Sequence, residues 1–80
     1  MIVSFIPGRI RLRFRELKEN AAAESARERI AQTPGITLVE VNPISGSILI
    51  EYDQTLLPTE TLIKTGKQEL AKLNINLELP

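Results

Sequence analysis

Seven residues near the start of the chain alternate strictly between cationic and apolar side chains. The segment reads Arg-Ile-Arg-Leu-Arg-Phe-Arg over residues 9–15. Because successive side chains of a β-strand point to opposite faces of a sheet, Ile10, Leu12 and Phe14 share one face and the four arginines share the other. The segment therefore predicts a strand in a sheet that is buried on one face and open on the other.

Helical and strand patterns alternate along the rest of the chain. Asn20 is a good N-cap ahead of a run of alanines, and Pro34-Gly35 is a typical helix end. Two β-branched-rich runs are joined by residues 43–46, whose glycine is typical of a hairpin. The predicted elements are a strand over 9–15 with residues 2–6 as its candidate extension, helices over 21–33 and 58–73, and strands over 36–42, 47–53 and 74–79.

This order of elements, βαββαβ, predicts the fold class. Right-handed crossovers favour an α+β ferredoxin-like sandwich, with a four-stranded antiparallel sheet in the order 4-1-3-2 and two helices on one face. Residues 1–80 are expected to form this single domain. Gly66 lowers helix propensity by ~1 kcal/mol inside the second helix, so we expect it to serve close packing.

Composition excludes several kinds of function. The chain has no cysteine, no histidine and a single methionine, so it lacks the usual ligands for soft metals and the usual general base. With zero net charge and three aromatic residues, nucleic-acid binding is not expected. No segment approaches the ~20 apolar residues that span a bilayer, so we expect no membrane insertion and a cytoplasmic location. We expect no enzymatic activity and no cofactor.

Two segments resemble the heavy-metal-associated domain superfamily. Residues 7–13 (Pro-Gly-Arg-Ile-Arg-Leu-Arg) and 35–53, with an Asn-Pro-Ile-Ser-Gly-Ser hairpin, are similar to its divergent branch. That resemblance implies the same fold, and capture of Cu(I) or Zn(II) for a transporter or partner domain. The family motif, Met-x-Cys-x-x-Cys, belongs on the loop after the first strand. Residues 15–20 (Arg-Glu-Leu-Lys-Glu-Asn) match none of it, so no metal-binding residue carries over.

The row of arginines has two open interpretations. Successive outward residues of a strand lie ~6.6–7 Å apart, so the four cations need counter-charges. Glu51, Asp53 and Glu78 are predicted on neighbouring strands of the same face and could supply cross-strand ion pairs. The other interpretation is that the arginines receive an acidic protein surface on the open sheet.

The open face and the N-terminal segment are the predicted contact surfaces. Leu38 and Leu49 are expected to point outward among the arginines and could form the centre of an interface. The apolar segment 2–6 either continues the first strand or pairs with an edge strand of a second copy, giving a homo-oligomer. The predicted partner-binding residues are Arg9, Arg11, Arg13, Leu38, Leu49 and Glu51.

The expected function is a non-catalytic interaction or regulatory module that lacks the soft-metal site. It would dock a protein partner, or a second copy, through the open sheet face. The resemblance implies a bacterial setting beside a metal-transporting ATPase or another membrane-associated assembly. The alternative is a metallochaperone-like role, in which a partner supplies the metal ligands or carboxylates bind a harder ion. Glu16, Glu19 and Glu24 are the candidate carboxylates for such an ion.

Overall fold

Residues 2–6 form a separate strand, because a two-residue turn at Pro7 and Gly8 follows them and reverses the chain. The computed structural model describes residues 2–72. Its first strands are β1, Ile2–Ile6, and β2, Arg9–Arg13, paired antiparallel with Ile6 opposite Arg9. Gly8 has a φ of 85°, a left-handed conformation that reverses the chain at no cost to glycine. The expectation that residues 2–6 extend the same strand is therefore wrong.

The remaining elements lie close to their predicted positions. Glu19, rather than the predicted Asn20, occupies the N-cap position of the first helix, and its side chain makes no capping hydrogen bond. The elements are a 3-10 turn at Arg15–Lys18, helix α1 at Asn20–Ala31, strands β3 at Ile36–Asn42 and β4 at Ser47–Tyr52, and helix α2 at Thr59–Ala71.

The four strands form one antiparallel sheet in the order β1-β2-β4-β3. Together with two helices, this sheet confirms the predicted ferredoxin-like α+β fold. β1 occupies the outer position beside β2. The run 74–79, which was predicted for that position, lies outside the described residues.

The core lies between one face of the sheet and the two helices. Alternate residues of β2 and β4 enter it, as the alternation in the sequence predicts. Both helices contribute to the same cluster, so both lie on one face of the sheet, as predicted. Its buried members are Ile10, Leu12, Phe14, Leu17, Ala26, Ile30, Ile48, Ile50, Tyr52, Leu57, Leu62 and Leu70.

Gly46 and Gly66 differ in how closely other atoms surround them. Gly46 ends the β3–β4 turn with a φ of 70°, and a Cβ there would lie 2.5 Å from the carbonyl oxygen of Phe14. Gly66 lies in α2, and within the described chain nothing comes within 4 Å of its Cβ position. Close packing among residues 2–72 therefore does not explain Gly66, contrary to the expectation.

Candidate functional site

The face of the sheet opposite the helices carries the predicted contact residues. Arg9 lies opposite Glu51 and Arg11 opposite Leu49 in the β2–β4 register. A register shift in β3 between Ile36 and Leu38 brings Leu38 opposite Glu51, on the same outer face. The structure thus brings together all six predicted residues: Arg9, Arg11, Arg13, Leu38, Leu49 and Glu51.

The two leucines of this open face differ in exposure. Leu38 is 36% exposed, whereas Leu49 is only 7% exposed although it lies outside the core cluster. Arg11 and Glu40 are the register partners of Leu49 on its two sides. Long charged side chains at such neighbouring positions are able to cover apolar surface with their methylene stems. At this low exposure, Leu49 offers a partner little apolar area of its own.

Among residues 2–72, Arg9 and Arg11 form no ion pair with the carboxylates that were predicted to neutralise them. Arg9 is the direct register partner of Glu51, yet the two side chains make no ion pair. In the described part of the chain, no carboxylate forms an ion pair with Arg11 either. Three ion pairs among residues 2–72 lie on the helical side of the molecule, for example Arg29 with Glu69 at 3.6 Å.

Asp53, another predicted counter-charge, accepts hydrogen bonds within the turn that follows β4. Its Oδ1 accepts the hydroxyl of Thr55 at 2.6 Å and the backbone N–H of Thr55 at 2.9 Å. These hydrogen bonds, the hydroxyl first, lower the pKa of Asp53 below its ordinary value. The predicted pairing of Asp53 with the arginines is therefore wrong, because the carboxylate stabilises the turn after β4. Glu78 lies outside the described residues.

Two shallow depressions adjoin Arg11 and Leu49 on the open face. One, of about 340 Å³, extends over Arg13 and Glu40 to the β3–β4 turn. The other, of about 300 Å³, is lined by Arg9 and by Ser4 and Ile6 of β1. Both are open hollows rather than enclosed cavities. Guanidinium groups over such hollows are suited to carboxylates presented by another protein surface, which they bind bidentately.

The loop after β2, where the superfamily carries its metal motif, is closely packed. Leu17 of the 3-10 turn is 0% exposed and belongs to the core cluster. The Phe14 N–H donates to the Gly46 carbonyl oxygen at 2.8 Å, which attaches the loop to the β3–β4 turn. Sequence analysis missed the role of Leu17, because one leucine between charged residues has no periodicity to reveal its burial.

No metal-binding cluster forms among the residues that the structure describes. Three or more His, Cys, Asp or Glu side chains do not come together anywhere between residues 2 and 72. Glu16, Glu19 and Glu24, which follow β2 in the sequence, therefore do not assemble into a carboxylate site there.

The helices between residues 2 and 72 give no membrane span, because each is too short or too polar to cross a bilayer.

The comparisons with known proteins identify the family. The model of Heavy metal associated domain 2 matches residues 1–74, which include all four strands and both helices. Neither the comparison with curated proteins nor the comparison with solved structures gives a significant match. The superfamily resemblance seen in residues 7–13 and 35–53 is thus confirmed. The chain belongs to the Heavy metal associated domain 2 family, with neither cysteine nor histidine in its sequence.

Proposed function

We propose that this domain is a non-catalytic interaction module that docks an acidic segment of a protein partner on its open sheet face. The observation that supports the proposal is the pair Arg9 and Arg11, which project from the central strand β2 without an ion pair in the described chain. Because no carboxylate between residues 2 and 72 pairs with these two guanidinium groups, we take them to be available to a second molecule.

Charge placement on the open face favours an acidic partner over β2. Arg9, Arg11 and Arg13 form the arginine column, which follows strand β2 on the open face. The uncharged strand β1 lies on one side of this column. The acidic residues Glu51 and Glu40 lie on the other side, on β4 and β3. An acidic strand aligned with β2 would meet two arginines whose backbone positions are ~7 Å apart, the same spacing as alternate residues of that strand.

Family membership supports a setting in metal handling. Thiolate and imidazole groups are the usual ligands of soft metal ions, and this Heavy metal associated domain has neither. A regulatory or docking role therefore suits it better than the role of carrying the ion. We infer a partner such as a metal-transporting ATPase or another membrane-associated assembly. The domain would bind the cytoplasmic side of that partner.

A metallochaperone-like role, with ligands supplied by the partner, is the second candidate. The family match favours it, because the fold is otherwise associated with heavy metals. The buried Leu17 and the close contact of the loop with Gly46 favour the docking role, since they hold the loop against the hairpin. Titration of the purified complex with Cu(I) and Zn(II) separates the two. Tight binding by the complex, absent from each component, would establish the second role.

The docking role is tested by neutralising the arginine column. A partner captured from host extract is identified by mass spectrometry, purified and titrated by calorimetry at two salt concentrations. The double variant Arg9→Gln/Arg11→Gln is expected to weaken binding about 10–100-fold and to reduce its salt dependence. The reason is that charge pairs across an interface contribute to the affinity and are screened by salt.

Helix α1 supplies a matched control. Arg27→Gln/Arg29→Gln removes the same total charge from the helical side, where both arginines have carboxylate partners, Glu24 and Glu69. This control is expected to leave the dissociation constant unchanged. Equal affinities for the wild type and the Arg9→Gln/Arg11→Gln variant would show that the open face does not dock the partner.

A further inference from the structure

Among residues 2–72, the outer edge of β1 lacks the features that usually protect an edge strand. β1 is outermost in the sheet, and no other strand of the described chain pairs with its second edge. Its five residues, Ile-Val-Ser-Phe-Ile, include no charged residue and no proline. Natural edge strands commonly carry lysine, proline or a covering element, because an open apolar edge pairs with other chains.

The side chains of β1 are apolar on both faces of the sheet. Val3, Phe5 and Ile6 are 41%, 47% and 57% exposed. Phe5 lies opposite the core residue Ile10, so it projects on the helix side, whereas Ile6 lies opposite Arg9 and projects on the open face. A strand that remained solvated would need an apolar face only toward the core.

The backbone of Phe5 is directed toward the outer edge. The Gly8 carbonyl oxygen accepts the Tyr52 N–H at 3.0 Å, so the hydrogen-bonding groups of Gly8 face β4. By the alternation along an antiparallel ladder, Ile10 faces β4 as well, and Phe5, its register partner on β1, directs its N–H and C=O outward.

We propose that β1 pairs antiparallel with β1 of a second copy, joining two four-stranded sheets into one eight-stranded sheet. An antiparallel pair of identical strands has two-fold symmetry, so the same edge serves both copies and the assembly closes as a dimer. The pairing satisfies the outward groups of Phe5 and brings together the apolar side chains on both faces.

Electrostatics allow this pairing. The chain has zero net charge, and β1 itself has none. The two arginine columns would stand three strand spacings apart, about 14 Å, which exceeds the Debye length of ~8 Å at physiological ionic strength. The open face of the dimer would then present two arginine columns with the two copies of Ile6 between them.

The dimer is tested by sedimentation velocity on the full chain. A single pair of short strands is a small interface, so we expect a monomer–dimer equilibrium with a dissociation constant on the order of 10–100 µM. Phe5→Lys introduces the residue that natural edges use against pairing, and it is expected to weaken dimerisation at least about tenfold.

Ile44→Lys is the matched control. Ile44 is 91% exposed in the β3–β4 turn, so the substitution exchanges the same kinds of side chain away from β1. It is expected to leave the dissociation constant unchanged. Circular dichroism confirms that both variants are folded. Hydrogen exchange at the Phe5 amide is expected to slow as the wild-type concentration rises, because that N–H enters the ladder between the copies.

Three results would overturn the proposal. One is a chain that stays monomeric up to millimolar concentration. Another is a dimer with equal affinity in the wild type and the Phe5→Lys variant. A third is a Phe5 amide whose exchange does not depend on concentration. Arg9 and Arg11 take no part in the edge, so the dimer and the acidic partner stand or fall separately.

Discussion

Replacing Gly46 by alanine is expected to be among the most destabilising single-methyl additions in this chain. Gly46 has a φ of 70°, and its added Cβ would lie 2.5 Å from the Phe14 carbonyl oxygen. The same glycine accepts the Phe14 N–H at 2.8 Å and donates its own N–H to the Asn42 carbonyl oxygen at 2.8 Å. The β3–β4 turn and the loop after β2 are therefore held together at this residue.

The magnitude follows from two effects. A left-handed backbone costs an L-residue with a Cβ about 1–2 kcal/mol relative to glycine. The contact at 2.5 Å is with backbone rather than with a flexible side chain, so the loop must move, and overpacking of this kind costs about 1–3 kcal/mol. We expect a loss of about 2–5 kcal/mol, from a total of ~4–12 kcal/mol for a domain of this size.

Gly66→Ala is the matched control, because it adds the same methyl group with the opposite expected sign. Gly66 is helical, and no described atom comes within 4 Å of its Cβ position. Alanine should therefore raise stability by up to ~1 kcal/mol through helix propensity.

Urea unfolding followed by circular dichroism measures the change in unfolding free energy for each of the two variants. An m-value equal to that of the wild type indicates that the two-state comparison is valid. At about 4–8 °C per kcal/mol, the melting temperature should fall by roughly 8–40 °C for Gly46→Ala and rise by a few degrees for Gly66→Ala. A Gly46→Ala variant within ~0.5 kcal/mol of the wild type would refute the argument from φ and from the Phe14 contact.

Three further predictions concern single contacts. Leu17→Ala should cost about 2–5 kcal/mol in urea unfolding, because a 0% exposed leucine leaves a cavity; a loss below ~1 kcal/mol would contradict its place in the core. Tyr52→Phe should cost about 0.5–1.5 kcal/mol by removing the 2.6 Å hydrogen bond with the Thr59 hydroxyl, and a double-mutant cycle with Thr59→Val should show coupling rather than additivity. The hydrogen bonds from Thr55 lower the pKa of Asp53, so its contribution to stability is complete above the unfolded-state pKa of about 4 and is lost as the pH falls further. Stability measured against pH should therefore fall less steeply below about pH 4 in Asp53→Asn than in the wild type, and identical profiles would contradict this.

The open sheet face could be predicted because it depends on local alternation. Arg9, Arg11 and Arg13 alternate with Ile10 and Leu12, and a period of two determines which side chains share a face before any partner strand is known. The helices and the β3–β4 hairpin were also predictable, since their end signals are local glycine and proline residues.

The partners of the outward charges could not be predicted, because they depend on side-chain geometry between strands. Glu51 lies opposite Arg9 in the register and still makes no ion pair with it, while Asp53 turns to its neighbour Thr55. An exposed ion pair gains little free energy in water and loses side-chain entropy, so a local hydrogen bond competes with it successfully.

By itself, the sequence determined the two helices, the β3–β4 hairpin, the two faces of the sheet, the family and the lack of sulfur and imidazole ligands. Tertiary structure decided that residues 2–6 fold back as an outer strand, that Leu17 enters the core and that Leu49 lies covered among charged neighbours. The physical reason is that alternation and end signals act over a few residues. Edge pairing and burial depend instead on which distant segments reach the same place, and no local pattern records that.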